Sequence, residues 1–169
     1  MLHCAKFILG IVITMMIAKA EFTDLEQILK LQYLAYKSEA ILYNDFTIPP
    51  LTQTIDEIRQ EYEKHIFLKA IGSNGDIVGS VRASIDNDTA YIGRLIVHPE
   101  EQGQGIGTKL MLAIEQESQT TRYELFTGDK SIRNLRLYEH LGYVKFREQI
   151  MADELTFVYM EKYASNRIV

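Results

Sequence analysis

Gln102-Gly103-Gln104-Gly105-Ile106-Gly107 has the composition and placement to bind an anion. It follows an apolar stretch, Tyr91 to Val97, closed by His98-Pro99, and precedes an amphipathic run from Thr108 to Glu117. Strand, glycine loop and helix together build an anion site from backbone. Glycines let the chain approach a ligand closely, and the unpaired N–H groups of a helix start point at it. The ligand this arrangement suits carries phosphate.

Spacing narrows the kind of phosphate loop. A Walker A loop ends in Gly-Lys-Ser/Thr, which is absent from this segment. A dinucleotide loop reads G-x-G-x-x-G. Counting from Gly103 and Gly105, its third glycine falls on Thr108. The preceding strand also follows an antiparallel meander instead of opening a β-α-β unit.

Other chemistry is poorly represented. Cys4 is the single cysteine, which excludes an intrachain disulfide and a cysteine-based zinc site. His3, His65, His98 and His140 show no metal-ligand spacing, so no metal is expected. The net charge of −5 argues against a general nucleic-acid binder. Arg82 and Arg94 fall on central strands, where buried arginines need partners. They can shape an acidic end of a substrate or pair with carboxylates of the chain.

The elements around these residues form one domain. The 169 residues are 47% hydrophobic and 24% charged, as in a globular chain with a substantial core. Ile17 to Glu21 reads as a first strand. Thr23 and Glu26 form a capping box opening a helix through Ile28, Leu31, Leu34 and Ala35 toward Leu42. Tyr43 to Leu51 is a loop stiffened by Pro49-Pro50. Thr54 and Glu57 open a second helix, with Ile55, Ile58 and Tyr62 on one face. His65 to Ile71 and Ile77 to Ile85 are strands joined through Ser73-Asn74-Gly75-Asp76, since Asn-Gly suits positive φ. A turn at Asp86-Asn87-Asp88 leads into Tyr91 to Val97.

Beyond the glycine loop, Ile106, Leu110, Ala113 and Ile114 mark a helix core face. Tyr123 to Thr127 is a short strand. Ser131 can cap a helix through Ile132, Leu135, Tyr138 and Leu141, stopped by Gly142. In that register Tyr138 reads as a core aromatic. Tyr143 to Gln149 and Leu155 to Tyr163 close the chain as an antiparallel pair. The order predicts a mixed α/β layer architecture.

Residues 16–169 are expected to form the domain, with 1–15 an extension. Phe7 to Ile17 followed by Ala18-Lys19-Ala20 has the look of a short signal peptide and is too short for a comfortable membrane span. An edge or buried strand, or a true start at Met15 or Met16, accounts for the same residues.

The chain resembles the GNAT superfamily of N-acetyltransferases. That family carries Arg/Gln-x-x-Gly-x-Gly/Ala between its fourth strand and the next helix, here Gln102-x-x-Gly105-x-Gly107. Leu95-Ile96-Val97-His98-Pro99 resembles its strand ending. Leu125-Phe126-Thr127-Gly128, then Asn134-Leu135-Arg136-Leu137-Tyr138 and Leu141-Gly142-Tyr143, resemble its fifth strand and following helix. Gln102 stands where arginine is commoner, which removes one fixed charge near the diphosphate.

The resemblance implies a mostly antiparallel sheet of about seven strands, with splayed fourth and fifth strands flanked by helices. It implies acetyl-CoA as donor. Backbone groups of Leu95, Ile96 and Val97 would pair with the pantetheine arm. Gln102, Gly103 and the N–H groups of Gln104, Gly105, Ile106, Gly107 and Thr108 would hold the diphosphate. Thr127 and Gly128 would line the far side of the arm. Asn134 matches a position that holds pantetheine or a water, and Tyr138 matches the family's general acid. A backbone N–H near Leu95 or Ile96 would meet the oxyanion.

The acceptor is less legible. Tyr36, Glu39, Tyr43 and Asp45, with Pro49-Pro50, lie where acceptor loops cover such a site. Glu39, Asp45 and His65 are candidates for the base. The expected function is transfer of acetyl to a primary amine of a small molecule or peptide, in the cytoplasm, without nucleic-acid or membrane partners. A homodimer is frequent in the family. A non-catalytic acyl-CoA-binding sensor is the alternative, and a secreted or tethered domain is a third reading.

Overall fold

The computed structural model describes residues 15–164. Of the expected extension, 1–15, and of the signal-like reading over Phe7 to Ala20, residues 1–14 lie outside them. The chain runs β1 (Met16–Lys19), α1 (Leu25–Tyr43), α2 (Pro49–Thr52), α3 (Ile55–Tyr62), β2 (Ile66–Ile71), β3 (Ile77–Asp86) and β4 (Thr89–Val97). It continues with α4 (Ile106–Ser118), β5 (Arg122–Gly128), α5 (Ile132–His140), β6 (Val144–Ala152) and β7 (Leu155–Tyr163).

The seven strands form one sheet in the order β1-β2-β3-β4-β5-β7-β6. The β4–β5 pair is parallel and the other neighbours are antiparallel. This is the expected mixed α/β sheet. Strand alternation sends side chains to opposite faces, so each face has its own core. Leu25, Ile28 and Leu31 of α1 and Ile58 of α3 pack with Phe67 on one face. Leu110, Met111 and Ile114 of α4 pack with Leu68, Val81 and Met160 on the other.

Several local expectations shift. The first cap is Glu21 with Asp24, not Thr23 with Glu26: the Glu21 N–H donates to Asp24 Oδ2 at 2.6 Å. Lys69 anchors the same carboxylate at 2.6 Å, which fixes the chain's entry one turn early. Thr23 falls inside the short 3-10 turn Phe22–Asp24 that runs into α1. Leu34, expected on the buried face, is exposed. The Pro49-Pro50 loop contains a short helix, since proline is preorganised for a first turn. Thr54 and Glu57 cap α3 reciprocally, at 2.6 and 3.3 Å.

A buried polar cluster ties α4 to β5, β7 and the residue just before β6. Tyr143 Oη donates to Glu115 Oε1 at 2.9 Å, and Lys162 Nζ donates to Oε2 at 2.7 Å. Tyr123 Oη donates to the Glu115 carbonyl at 3.1 Å. Burial, with the Glu115 charge beside it, holds the Tyr143 phenol far above its ordinary pKa. Glu115→Ala strands a hydroxyl and an amine at once. The expected loss is about 2–3 kcal/mol of stability, read as a lower urea midpoint, with Glu115→Gln losing less.

Candidate active site

The site begins with a strand pair that stops pairing. β4 and β5 are matched only at Thr89–Tyr91 against Arg122–Glu124. Further along, β5 stays with β7, from Leu125↔Met160 to Gly128↔Phe157. β4 stays with β3, and the sheet splits. A cavity of about 710 Å³ opens between Ile92–Val97 on one wall and Phe126–Gly128 on the other.

β4 also carries a bulge. Arg82 is opposite Gly93 and Ser80 is opposite Ile96, so Arg94 and Leu95 together face Val81. Arg94 takes a left-handed conformation, φ 51°. The extra residue bends the strand and releases backbone groups from the β3 ladder beside the cavity.

The glycine loop closes one end. Gly103 and Gly105 adopt φ 80° and 79°, and Gly105 is the N-cap of α4. Only glycine takes these angles cheaply. The helix therefore starts at Ile106, earlier than the expected Thr108, and Ile106, Gly107 and Thr108 of its first turn line the cavity.

Gln102 is held from two sides. Its Nε2 donates to the Val97 carbonyl at 3.3 Å, and Arg133 Nη1 donates to its Oε1. Arg133, in the first turn of α5, thereby brings a guanidinium to the glycine loop, where Gln102 supplies none. An arginine two residues after the Ser131 cap position was the available signal.

The cavity gathers most of the expected site residues. Leu95, Ile96, Val97, Gln102, Gly103, Gly105, Ile106, Gly107 and Thr108 line it, and Thr127, Asn134 and Tyr138 line it from the β5–α5 side. Gln104 does not line it: its side chain turns outward and donates to Glu101 at 3.0 Å. Asn134 Nδ2 donates to Thr127 Oγ1 at 3.5 Å. Tyr138 is 7% exposed and stacks edge-on against Tyr143, with centroids 6.0 Å apart. Burial, then the neighbouring Tyr36 and Glu39, hold its phenol well above the ordinary value.

Tyr36, Glu39, Tyr43 and Asp45 also reach the cavity. Their hydrogen bonds separate them. Ser131 Oγ donates to Glu39 Oε2 at 2.5 Å, so Ser131 sits at the N-cap of α5 without capping it. Tyr43 Oη accepts from the Lys130 N–H at 2.7 Å and donates to Asp129 at 3.3 Å, which braces the end of β5. Asp45 accepts from the Thr47 N–H and hydroxyl, both at 2.7 Å, and those bonds lower its pKa. His65 is not in the cavity. It lines a separate depression with Glu61 and Lys64. Ile132, expected on the core face of α5, is 51% exposed.

Split sheet, bulge and glycine-started helix define a mixed α/β domain with a glycine loop and a helix start at the mouth of a strand wedge. The sequence matches the family model described as "Acetyltransferase (GNAT) domain" over residues 36–164, and the chain belongs to that family.

Solved structures share the fold. PaiA N-acetyltransferase from Thermoplasma acidophilum, in complex with coenzyme A, is similar at TM-score 0.74 and 17% identity, covering 89% of this chain and 99% of that one. YncA from Salmonella typhimurium, a putative acetyltransferase with its cofactor acetyl-CoA, is similar at TM-score 0.72 and 18% identity, covering 92% and 97%. The ribosomal-protein-S18-alanine N-acetyltransferase of Escherichia coli is similar at TM-score 0.72 and 17% identity, covering 92% and 99%. A curated relative, the UPF0157 protein YqkA of Bacillus subtilis (strain 168), is 26% identical over 126 residues. That match takes in 74% of this chain and 36% of the relative's length. Among the described residues, no helix is long and apolar enough to cross a membrane.

Proposed function

We propose that this chain transfers the acetyl group of acetyl-CoA to a primary amine. The observation that carries the reading is the β4–β5 split, which opens a cavity with an anion cradle at one end and a buried phenol inside. The residues fit the donor. The glycine loop and α4 start suit a diphosphate, Arg133 adds positive charge, and the released β4 backbone suits an amide-bearing arm. Family membership and solved relatives with CoA or acetyl-CoA bound support the same donor.

The donor supplies a thioester, and the chain's residues do the rest. An alkyl ammonium has a pKa of ~10.4, so the acceptor must lose a proton before its nitrogen attacks. Glu39 is the carboxylate placed for that, since it faces the cavity beside Tyr36 and Tyr138. The backbone N–H groups of the β4 bulge stabilise charge on the carbonyl oxygen. A C–N bond forms, the C–S bond breaks, and the Tyr138 hydroxyl gives its proton to the departing sulfur. The proton released from nitrogen restores the balance. Desolvation keeps Tyr138 protonated, which makes it a donor and not a base.

A screen of primary amines with detection of free CoA thiol tests this. Thiol release dependent on an amine, with an acetylated product in the mass spectrum, is expected. Tight acetyl-CoA binding with no release from any amine overturns transfer and leaves a non-catalytic acyl-CoA sensor. Arg133→Ala is expected to raise the KM for acetyl-CoA roughly three- to fivefold with kcat unchanged, because an exposed charge contributes modestly. Steady-state kinetics at low and high salt checks it, and the difference should shrink at high salt.

A further inference from the structure

Arg82 and Arg94 lie close together on the β3–β4 pair, and their surroundings differ. Arg82 is fully matched. It pairs with Glu61 at 3.0 Å, donates to Gln53 at 3.0 Å and to Gln32 at 3.4 Å, and lies over the Phe67 ring. Arg94 has no such set of partners. Its Nε is buried without a hydrogen-bond partner. Among the described residues no carboxylate forms an ion pair with it. Its guanidinium lies 5.9 Å from the Tyr36 ring centroid.

Arg82 thus has a carboxylate partner in Glu61, and Arg94 has no ion pair among the described residues. Arg94 is half-buried, and a buried N–H left unpaired is costly unless an acceptor completes it. Arg94 also holds a left-handed backbone that a non-glycine residue adopts at a cost. Strain and an unmet donor coincide on a residue that lines the cavity wall.

The opposite charge stands nearby. Tyr36 and Glu39 are three residues apart on α1 and share a face. Tyr36 reaches Arg94, while Glu39 is held by Ser131 at the start of α5. The acceptor end of the cavity thus offers a fork of donors on one side and a carboxylate on the other, with Tyr36 between.

We propose that the acceptor is an amine that also carries a carboxylate, with the carboxylate held by Arg94 and the ammonium directed to Glu39. A guanidinium fork matches a planar carboxylate bidentately. At the acceptor end, a phosphate dianion meets more repulsion from Glu39 and Asp45 than a carboxylate monoanion does. The inference rests on the acetyltransferase reading and narrows its substrate class.

Matched acceptor sets test it: free amino acids, their carboxamides, the corresponding decarboxylated amines, and O-phosphoethanolamine. With thiol detection, the carboxylate forms are expected to have kcat/KM on the order of 100-fold above their carboxamides, the worth of a charged hydrogen-bonded contact. Arg94→Gln should collapse that ratio toward one through KM, and Arg94→Lys should keep part of it. Preference for carboxamides, plain amines or the phosphorylated amine overturns the inference while leaving acetyl transfer intact. Absence of turnover with every amine overturns acetyl transfer instead. Calorimetry of amino acids against carboxamides on the CoA-saturated protein then decides the Arg94 site by itself: equal or absent binding sinks it, and selective binding lost in Arg94→Gln upholds it.

Discussion

Tyr138→Phe is expected to lower kcat by about 100- to 1000-fold, the usual worth of a positioned proton donor. The KM for acetyl-CoA should change little, because the substitution removes one oxygen and keeps the ring. The ring's edge contact with Tyr143 survives, so the melting temperature should hold. The sign of the pH dependence follows from burial. Tyr138 works in its protonated form, and desolvation raises its pKa above the ordinary 10.0. The donor therefore stays protonated throughout pH 6–10. Wild-type kcat/KM should rise with pH as the acceptor amine deprotonates, with no fall assignable to Tyr138 in that window. A fully active Tyr138→Phe protein would remove the acid role and leave Tyr138 as core.

Gly105→Val is the second large effect, and it falls on binding. Gly105 has φ 79° as the N-cap of α4, an angle that a β-branched residue adopts only under strain. A Cβ there meets no atom of the protein within 4 Å, so the core is untouched. The first turn of α4 must re-form without the left-handed cap, and its N–H groups lose their common direction. Two charge-assisted hydrogen bonds at about 1.5 kcal/mol each correspond to a Kd for acetyl-CoA raised on the order of 100-fold. The same variant should lose only a few degrees of melting temperature. Calorimetric titration beside a thermal melt separates the two quantities. Unaltered affinity would show that the glycine loop does not hold the donor.

Much of the frame was legible along the chain because its signals are local. Asn74-Gly75 requires positive φ, Thr54 and Glu57 cap reciprocally, and Gly142 ends α5 at φ 90°. The glycine loop and the Asn134–Tyr138 segment likewise carry their spacing within a few residues. The misreadings came from competition at longer range. Thr23-x-x-Glu26 has the letters of a cap, yet Glu21 and Asp24 take the role because Lys69, from β2, holds Asp24. Ser131 has the letter of a cap, yet its hydroxyl goes to Glu39, far away in sequence. Gln104 belongs to the loop by sequence, but its side chain faces Glu101 and solvent.

Local patterns along the chain encode the order of the strands and longer helices, the glycine-started helix and the placement of a phenol on α5. Those features depend on φ preferences and on 3.6- and 2-residue periodicities, which neighbouring residues encode. What lines the cavity depends on contacts between residues far apart in the chain. The β4–β5 split depends on which strand each continues to pair with, and the bulge at Arg94 depends on the register against β3. Whether an arginine is matched depends on side chains from other elements: Arg82 pairs with Glu61 of α3, and Arg94 meets Tyr36 of α1 with no ion pair among the described residues. Composition counts both as equal charges, and burial among specific partners makes one structural and leaves the other with a contact to complete.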